Sequence, residues 1–532
     1  MLSLPTIPFI LSLLGTYIIY KLILSLLVTH HNRLTAARLN CLPAPVQPNT
    51  LPLGLDHILT ALHAIKTKTF PSYLLTRSST LPLTFSTSIL GVSRLFTADI
   101  PNIQALLATQ FEDFDLGEVR RLNAHPFLGK GIFLQDGREW ERSRALIRPQ
   151  FARAQIGDLE LEERHLGVLL GGVEVGSDGW TEEMDLQPLL FNLTLDAATE
   201  FLLGKSAESQ SIFLKRRKEL KWNGAVGKED SADAQAFGEA FDVGNTGLAT
   251  RAKFQPYPHL CIPKGWRKAI KTCNQYVDSI VAEHLRKRQE KIEKGVESDG
   301  KGGYVFLEAL ANETQDPIEL RSQIMHLLLA GRDTTASLIG WLLFQLVRDK
   351  ARYTKLRDAV IEDFGTWADC DLESITFAKI KACKYLQYCL NEALRLQTIV
   401  PYNFRVASKD TTLPRGGGED GKSKVFVPKG MMVFYSIHVL HRREDIWGPD
   451  VHEFVPERWE GRKLGWEYIP FNGGPRICVG QQYAIIEASY IILRLLQKYD
   501  KMENMDPEPE ARYHSTMTSC SANGVKVKLH EA

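Results

Sequence analysis

The sequence predicts a mainly α-helical chain with a small β component, tethered by one N-terminal transmembrane helix. Three observations predict it. Helical spacing of apolar residues recurs over Asp158–Leu170, Trp266–Glu293, Ile318–Arg348, Lys381–Leu396 and Gln481–Tyr499. Strand-like alternation is short and confined to Leu81–Arg94 and Lys424–Tyr435. The run Ile7–Val28 is apolar apart from Lys21, and at about 1.5 Å per residue it spans a hydrocarbon core of about 30 Å.

The N-terminal run differs from a cleaved signal peptide. No charged segment precedes it and no small-residue cleavage site follows. His30, His31, Arg33, Arg38 and Lys66 follow it, which places the body of the chain on the cytosolic side. The next stretch carries Pro43, Pro45, Pro48 and Pro52. Proline at that density resists helix and sheet interiors and reads as a semi-rigid spacer. The expected division is an anchor over 1–30, a linker over 31–54 and one folded domain over 55–532.

Beyond that point no second linker divides the chain and no internal repeat is visible. Gly295–Gly303 reads as a surface loop, and Pro414–Lys424 as the tip of a hairpin. The 532 residues are 44% apolar and 24% charged, enough for a large core. Lys+Arg 64 against Asp+Glu 63 gives a net charge of +1, which argues against a dedicated nucleic-acid binder. Eight cysteines without CxxC spacing fit neither a disulfide scaffold nor a structural zinc or iron–sulfur site.

One cysteine stands apart. Phe471–Gly480 reads FNGGPRICVG and leads into a helical pattern. Gly473 and Gly474 permit a turn closed to other residues, and Pro475 fixes the chain direction. Cys478 therefore sits near a helix N-terminus, whose dipole and free N–H groups favour a thiolate. Gly480 leaves room for a flat ligand, and Arg476 can grip a carboxylate with both arms.

This loop matches the haem-binding signature of the cytochromes P-450, Phe-x-x-Gly-x-Arg-x-Cys-x-Gly, at every fixed position. The resemblance implies that Cys478 is the metal ligand, that Phe471 shields its sulfur, and that Arg476 binds a haem propionate. The cofactor implied is haem b, iron protoporphyrin IX. The fold implied is the cytochrome P-450 fold, an α-helical body with a small β lobe.

A second motif lies in a long apolar helix that starts at Asp316-Pro317-Ile318-Glu319, with Asp as cap and Pro in the first turn. Its middle reads Ala330-Gly331-Arg332-Asp333-Thr334-Thr335. Gly331 weakens the helix, and Thr334 can bend it by bonding the preceding turn. The segment is similar to the family's central-helix motif. The resemblance makes Asp333 and Thr334 the catalytic pair that carries protons to the site of dioxygen reduction.

Glu392 and Arg395 share one helix face, a spacing found equally at Glu118/Arg121, Glu141/Arg144 and Glu283/Arg286. The family pairs such a Glu-x-x-Arg with an Arg in a later Pro-Glu-Arg segment, here Arg458. The resemblance implies a buried structural triad of Glu392, Arg395 and Arg458. It also implies propionate contacts from Trp140 and Arg144, from Arg405, and more weakly from His441.

The implied activity is that of a haem-thiolate monooxygenase. Electrons from NADPH would arrive through a cytochrome P-450 reductase docking on the cysteine side, where basic residues meet an acidic partner. Cytochrome b5 is a second candidate donor. The implied location is the endoplasmic reticulum membrane, single-pass. Asp185–Ser206, Ala236–Asp242 and Phe471–Ala484 resemble the fungal members that hydroxylate n-alkanes and fatty acids. Hydroxylation of a long aliphatic substrate is therefore the leading expectation. Pocket walls are expected from Phe111–Phe133, Met325–Thr335, Thr398–Phe404 and Thr516–Cys520. They are apolar enough to suit a terpenoid or polyketide as well. A non-oxygenase haem isomerase or dehydratase and a non-enzymatic haem or ligand-binding protein stay open, though neither needs the Asp333-Thr334 pair.

Overall fold

The structure is a computed structural model, and it describes residues 6–152, 157, 159–221, 232–255, 257–294 and 305–532. The loop expected over Gly295–Gly303 lies outside the described residues. The chain forms two compact units. The smaller comprises Met1–Leu59, Thr76–Asp115 and Phe404–Ser436; the larger comprises Thr60–Leu75, Leu116–Asn403 and Ile437–Ala532.

The smaller unit begins with a helix over Thr6–Arg38. Its apolar stretch is long enough to cross a membrane and has no protein packed on it. Phe9 and Leu26 are 65% and 70% exposed, a state that suits lipid rather than water. The helix outlasts the expected end of the anchor because residues 29–38 contain no proline or glycine to stop it.

The proline-rich stretch that follows is bonded to a sheet rather than hanging free. Leu42 N–H donates to Lys424 O, and Gln47 N–H and Pro45 O bond Ser86. Arg77 fixes it further by donating to the Gln47 amide at 2.9 Å while covering the Phe85 ring at 4.7 Å.

That sheet has five strands, with Val92–Thr97 between Thr84–Ile89 and Met432–Tyr435, then Asn403–Ala407 and Phe114–Asp115. Thr84–Ile89 and Val92–Thr97 pair antiparallel through a tight turn at Leu90-Gly91, both with positive φ. Val92–Thr97 runs parallel to Met432–Tyr435, with Leu95 opposite Val433. A separate hairpin pairs Thr411–Gly417 with Ser423–Val427. Its tip is shorter than the expected Pro414–Lys424, because a register shift between Leu413 and Gly417 lets the strands pair on past Pro414.

The larger unit is built around the helix Pro317–Leu346, here the central helix. Asp316 caps it by accepting from Ile318 N–H at 2.9 Å. Between residues 322 and 344 it is buried on every side except at Ala330, Gly331 and Thr334. Its length and hydropathy would also suit a membrane, but 83% of the apolar window is buried in protein, which makes it a core helix.

Leu186–Leu203 and Gln481–Lys498 pack on it. Leu190, Leu193, Leu342, Leu390, Ile491 and Leu495 form part of one continuous core. A small antiparallel sheet closes the C-terminal end, with Lys526–Glu531 between Met184–Asp185 and Tyr499–Asn504. The expected helices are present within a few residues: Glu160–Gly171, Trp266–Glu293, Pro317–Leu346, Lys384–Leu396 and Gln481–Lys498. Leu186–Leu203, Ala232–Ala252 and Lys350–Phe364 are long helices that period reading passes over, and the first shows why. It is apolar nearly all round because it is buried nearly all round.

Candidate active site

The cysteine loop is held by its own backbone. Cys478 N–H donates to Phe471 O and Ile477 N–H to Gly474 O, both at 3.0 Å. The helix Gln481–Lys498 starts with Gly480 as its cap. The two glycines serve different needs. Gly474 takes φ +67, a left-handed position, whereas Gly473 is extended and keeps room for the Trp466 ring, which a Cβ would meet at 2.7 Å. Asn472, not Gly473, supplies the second left-handed turn, at φ +66.

The Cys478 side chain is exposed, unlike most of the other cysteines. The protein around it pushes the thiol above its ordinary 9.0, against the downward pull of Gly480 N–H and the Arg144 cation. The helix-end effect expected from sequence is therefore outweighed by burial in the protein alone.

The helix Gly137–Ile147 lies against this loop. Arg144 donates to Ile477 O, next to the cysteine, at 3.0 Å. Trp140 is buried and carries the Arg476 guanidinium over its ring at 4.3 Å. Arg476 pairs with Asp136 at 2.9 Å and donates to Gln135 O at 3.0 Å. Asp136 is a partner that sequence reading missed, and 340 positions separate it from Arg476. Phe471 is partly buried against the main core.

The central helix opens where the motif predicts a weakness. Between residues 322 and 344 only Ala330, Gly331 and Thr334, which lie on one side of the helix, are partly exposed rather than buried. Thr334 Oγ1 donates to Ala330 O at 2.6 Å, and Thr194 Oγ1 donates to Arg332 O at 3.0 Å. Asp333 points elsewhere and is buried. Its Oδ2 accepts from Asn245 at 3.1 Å and its Oδ1 lies 3.6 Å from Arg332, which is itself paired with Asp242. Burial raises the Asp333 carboxyl above 3.8, with Arg332 opposing the rise and Asp242 adding to it. Asn245 and Asp242 come from the helix Ala232–Ala252. No local signal in the sequence marks Asp242 or Asn245 as partners of Arg332 and Asp333, which lie 90 and 88 positions away.

Glu392, Arg395 and Arg458 come together. Arg395 holds Glu392 with Nε and Nη2, both at 2.8 Å, and neither residue has any exposed surface. Arg458 Nε, Val455 N–H and Trp459 Nε1 also donate to Glu392, at 2.8, 2.9 and 3.0 Å. Arg395 further donates to the carbonyls of His441, Val451 and Glu453. His441 belongs to this network, not to an open wall. It is wholly buried, its Nε2 accepts from Ile469 N–H at 3.0 Å, and burial with Arg395 and Arg442 nearby holds it neutral.

The expected pocket walls meet in two pairs within the larger unit. Ser519 N–H donates to Ile399 O at 2.8 Å, and Trp341 of the central helix donates to Ser519 O at 3.1 Å. Phe133 stacks on His326 of the central helix at 5.5 Å between ring centres.

The family model for Cytochrome P450 matches residues 84–529. The chain is a cytochrome P450. It is 48% identical to Cytochrome P450 monooxygenase g430 of Fusarium sp, over 96% of this chain and 89% of that protein. It is 42% identical to Cytochrome P450 monooxygenase alt2 of Alternaria solani, over 92% and 91%. Cytochrome P450 52A13 of Debaryomyces hansenii is 44% identical over 84% and 83%.

This P450 is therefore a monooxygenase with a haem-thiolate cofactor, a redox partner, dioxygen and a hydrophobic substrate, and its N-terminal apolar helix fits membrane anchoring. The residues present suit that cofactor. Cys478 is exposed, and the central helix is partly exposed at Ala330, Gly331 and Thr334. In the smaller unit Arg405 is 2% exposed and donates to Phe404 O at 2.9 Å.

Proposed function

We propose that this P450 hydroxylates a long aliphatic substrate, with haem b ligated by Cys478 and electrons drawn from NADPH through a separate cytochrome P-450 reductase. The observation that carries the reading is the partly exposed side at Ala330, Gly331 and Thr334 of a helix buried elsewhere between residues 322 and 344. A small, mildly polar window in an apolar wall fits a chain-like substrate beside a proton-handling hydroxyl. The likeness of Asp185–Ser206, Ala236–Asp242 and Phe471–Ala484 to the fungal alkane and fatty-acid hydroxylases supports the substrate class.

Haem, when bound, supplies the metal that keeps the Cys478 sulfur as a thiolate and the centre at which dioxygen is activated. Around it the chain's own residues have separate tasks. Phe471 and Gly480 flank the sulfur, and Trp140, Arg144 and Arg476 are the propionate partners within the larger unit. Thr334 holds a proton at Oγ1, one position from the Asp333 carboxyl, which Asn245 and Arg332 keep oriented. Glu392, Arg395 and Arg458 hold the segment before the cysteine loop. We further assign the body to the cytosolic face of the endoplasmic reticulum, with Thr6–Arg38 as a single-pass anchor and the cysteine side as the docking face for the reductase.

The test is titration of purified, haem-loaded enzyme with long-chain fatty acids and n-alkanes, followed through the Soret band. A shift plus reductase-dependent hydroxylated product is expected. No shift and no product with either class refutes the substrate assignment. Cys478→Ser is expected to lose the thiolate-type spectrum of the reduced carbon-monoxide complex.

A further inference from the structure

The larger unit carries a cleft of about 530 Å³ walled by the helices Glu118–Leu128 and Trp266–Glu293 and by residues just before Trp266. Its polar lining is almost wholly basic. Arg121, Arg251 and Arg267 meet there with the imidazoles of His125 and His259. The only acid among the lining residues is Glu118, which is already paired with Arg121 at 2.5 Å. Between the basic groups lie Leu122, Ile262, Trp266 and Ile270.

Arg251 is the unusual member. It is 3% exposed and lies over the Trp266 ring at 4.3 Å. Its Nε, Nη1 and Nη2 donate to the carbonyls of Asn123, Cys261 and Leu122. Three of five donors are spent that way, and no carboxylate bonds it among the described residues. Burial lowers its pKa from the ordinary arginine value, so the site holds a cation at a cost that an anion would offset.

We propose that this cleft binds the carboxylate of a long-chain fatty acid. The guanidinium fork matches a carboxylate, and Leu122, Ile262 and Ile270 offer the apolar wall that an aliphatic tail needs and a bare inorganic anion does not. One wall of the cleft, the helix Glu118–Leu128, runs up to the central helix. At the end of the helix Glu118–Leu128, Gly129 O bonds His326 at 3.4 Å. His326 precedes Thr334 by eight residues, about 12 Å along the helix axis. The acid, rather than the hydrocarbon, is then the enzyme's aliphatic substrate; that last step rests on the function proposed above, while the binding does not.

The test uses full-length, haem-loaded enzyme and hexadecanoate, with hexadecane and phosphatidylserine vesicles as comparisons. Calorimetry is expected to show hexadecanoate binding that weakens about tenfold or more in Arg251→Gln, the loss of one charge-assisted contact. Hexadecane binding is expected to stay as in the parent. Arg251 also ties three carbonyls, so a second variant, His259→Gln/Arg267→Gln at exposed positions, guards against misfolding and is expected to weaken hexadecanoate alone. A photoactivatable fatty acid with its diazirine near the carboxylate should label residues 118–126 or 257–270. Unchanged hexadecanoate affinity in both variants, or labelling confined to other segments, overturns the proposal. So does binding of the vesicles with no affinity for hexadecanoate, which would make the cleft a lipid-headgroup site. Hexadecanoate bound in the cleft but never hydroxylated leaves the cleft standing and refutes the acid as substrate.

Discussion

Replacing Arg395 separates charge from geometry beneath the cysteine loop. The side chain makes two bonds to Glu392 and three to the carbonyls of His441, Val451 and Glu453, all without solvent. In Arg395→Ala the buried pair is broken, which costs about 3–5 kcal/mol. Stranded carbonyls add about 1–3 kcal/mol each unless water reaches them. The loss is of the same order as a whole domain's stability, about 5–15 kcal/mol. Arg395→Lys keeps the charge but brings three donors to five acceptor contacts, so at least two are lost, at a cost of about 2 kcal/mol or more. Guanidinium unfolding and the reduced carbon-monoxide spectrum read both effects. Arg395→Ala is expected to fail to hold haem, and Arg395→Lys to fold with lowered stability and partial loading. Full haem loading in Arg395→Ala refutes the reasoning, and equal damage from both variants refutes the separate weight given to charge.

Three other outcomes follow from the same geometry. Thr334→Ala is expected to let NADPH consumption continue while product per NADPH falls, by up to about 100-fold, the scale of one general-acid contribution; full coupling in that variant argues against a proton role. His326 is wholly buried and its imidazole is lowered from 6.5 to about 4, chiefly by burial. An unfolded chain binds this proton more readily, so stability should fall by about 3 kcal/mol as pH drops from 6.5 to 4, and His326→Gln should flatten that part of the stability–pH curve. Asp316→Ala removes the cap that accepts from Ile318 N–H and should cost about 1 kcal/mol in unfolding measurements; no loss would mean that Pro317 alone sets the start of the central helix.

The pattern of what could be read from sequence has a physical cause. Features whose chemistry is local were legible. The cysteine turn depends on neighbours within ten residues, and the central helix start on four consecutive ones. Glu392 and Arg395 lie one helical turn apart, so their pairing needs only the helix. Partners brought together by the fold left no local trace. Asp136 answers Arg476 across 340 positions, Asn245 answers Asp333 across 88, and Trp459 answers Glu392 across 67. The basic cleft was invisible for the same reason, since Arg121, Arg251 and Arg267 are ordinary surface-type residues until three segments converge. Burial reverses some local inferences as well. A helix N-terminus favours a thiolate, yet the protein packed around Cys478 pushes its thiol upward. The same desolvation acts on Asp333. In both cases the sequence names the group and the surroundings decide its charge, so a titratable residue's role can be argued only once its buried neighbours are known.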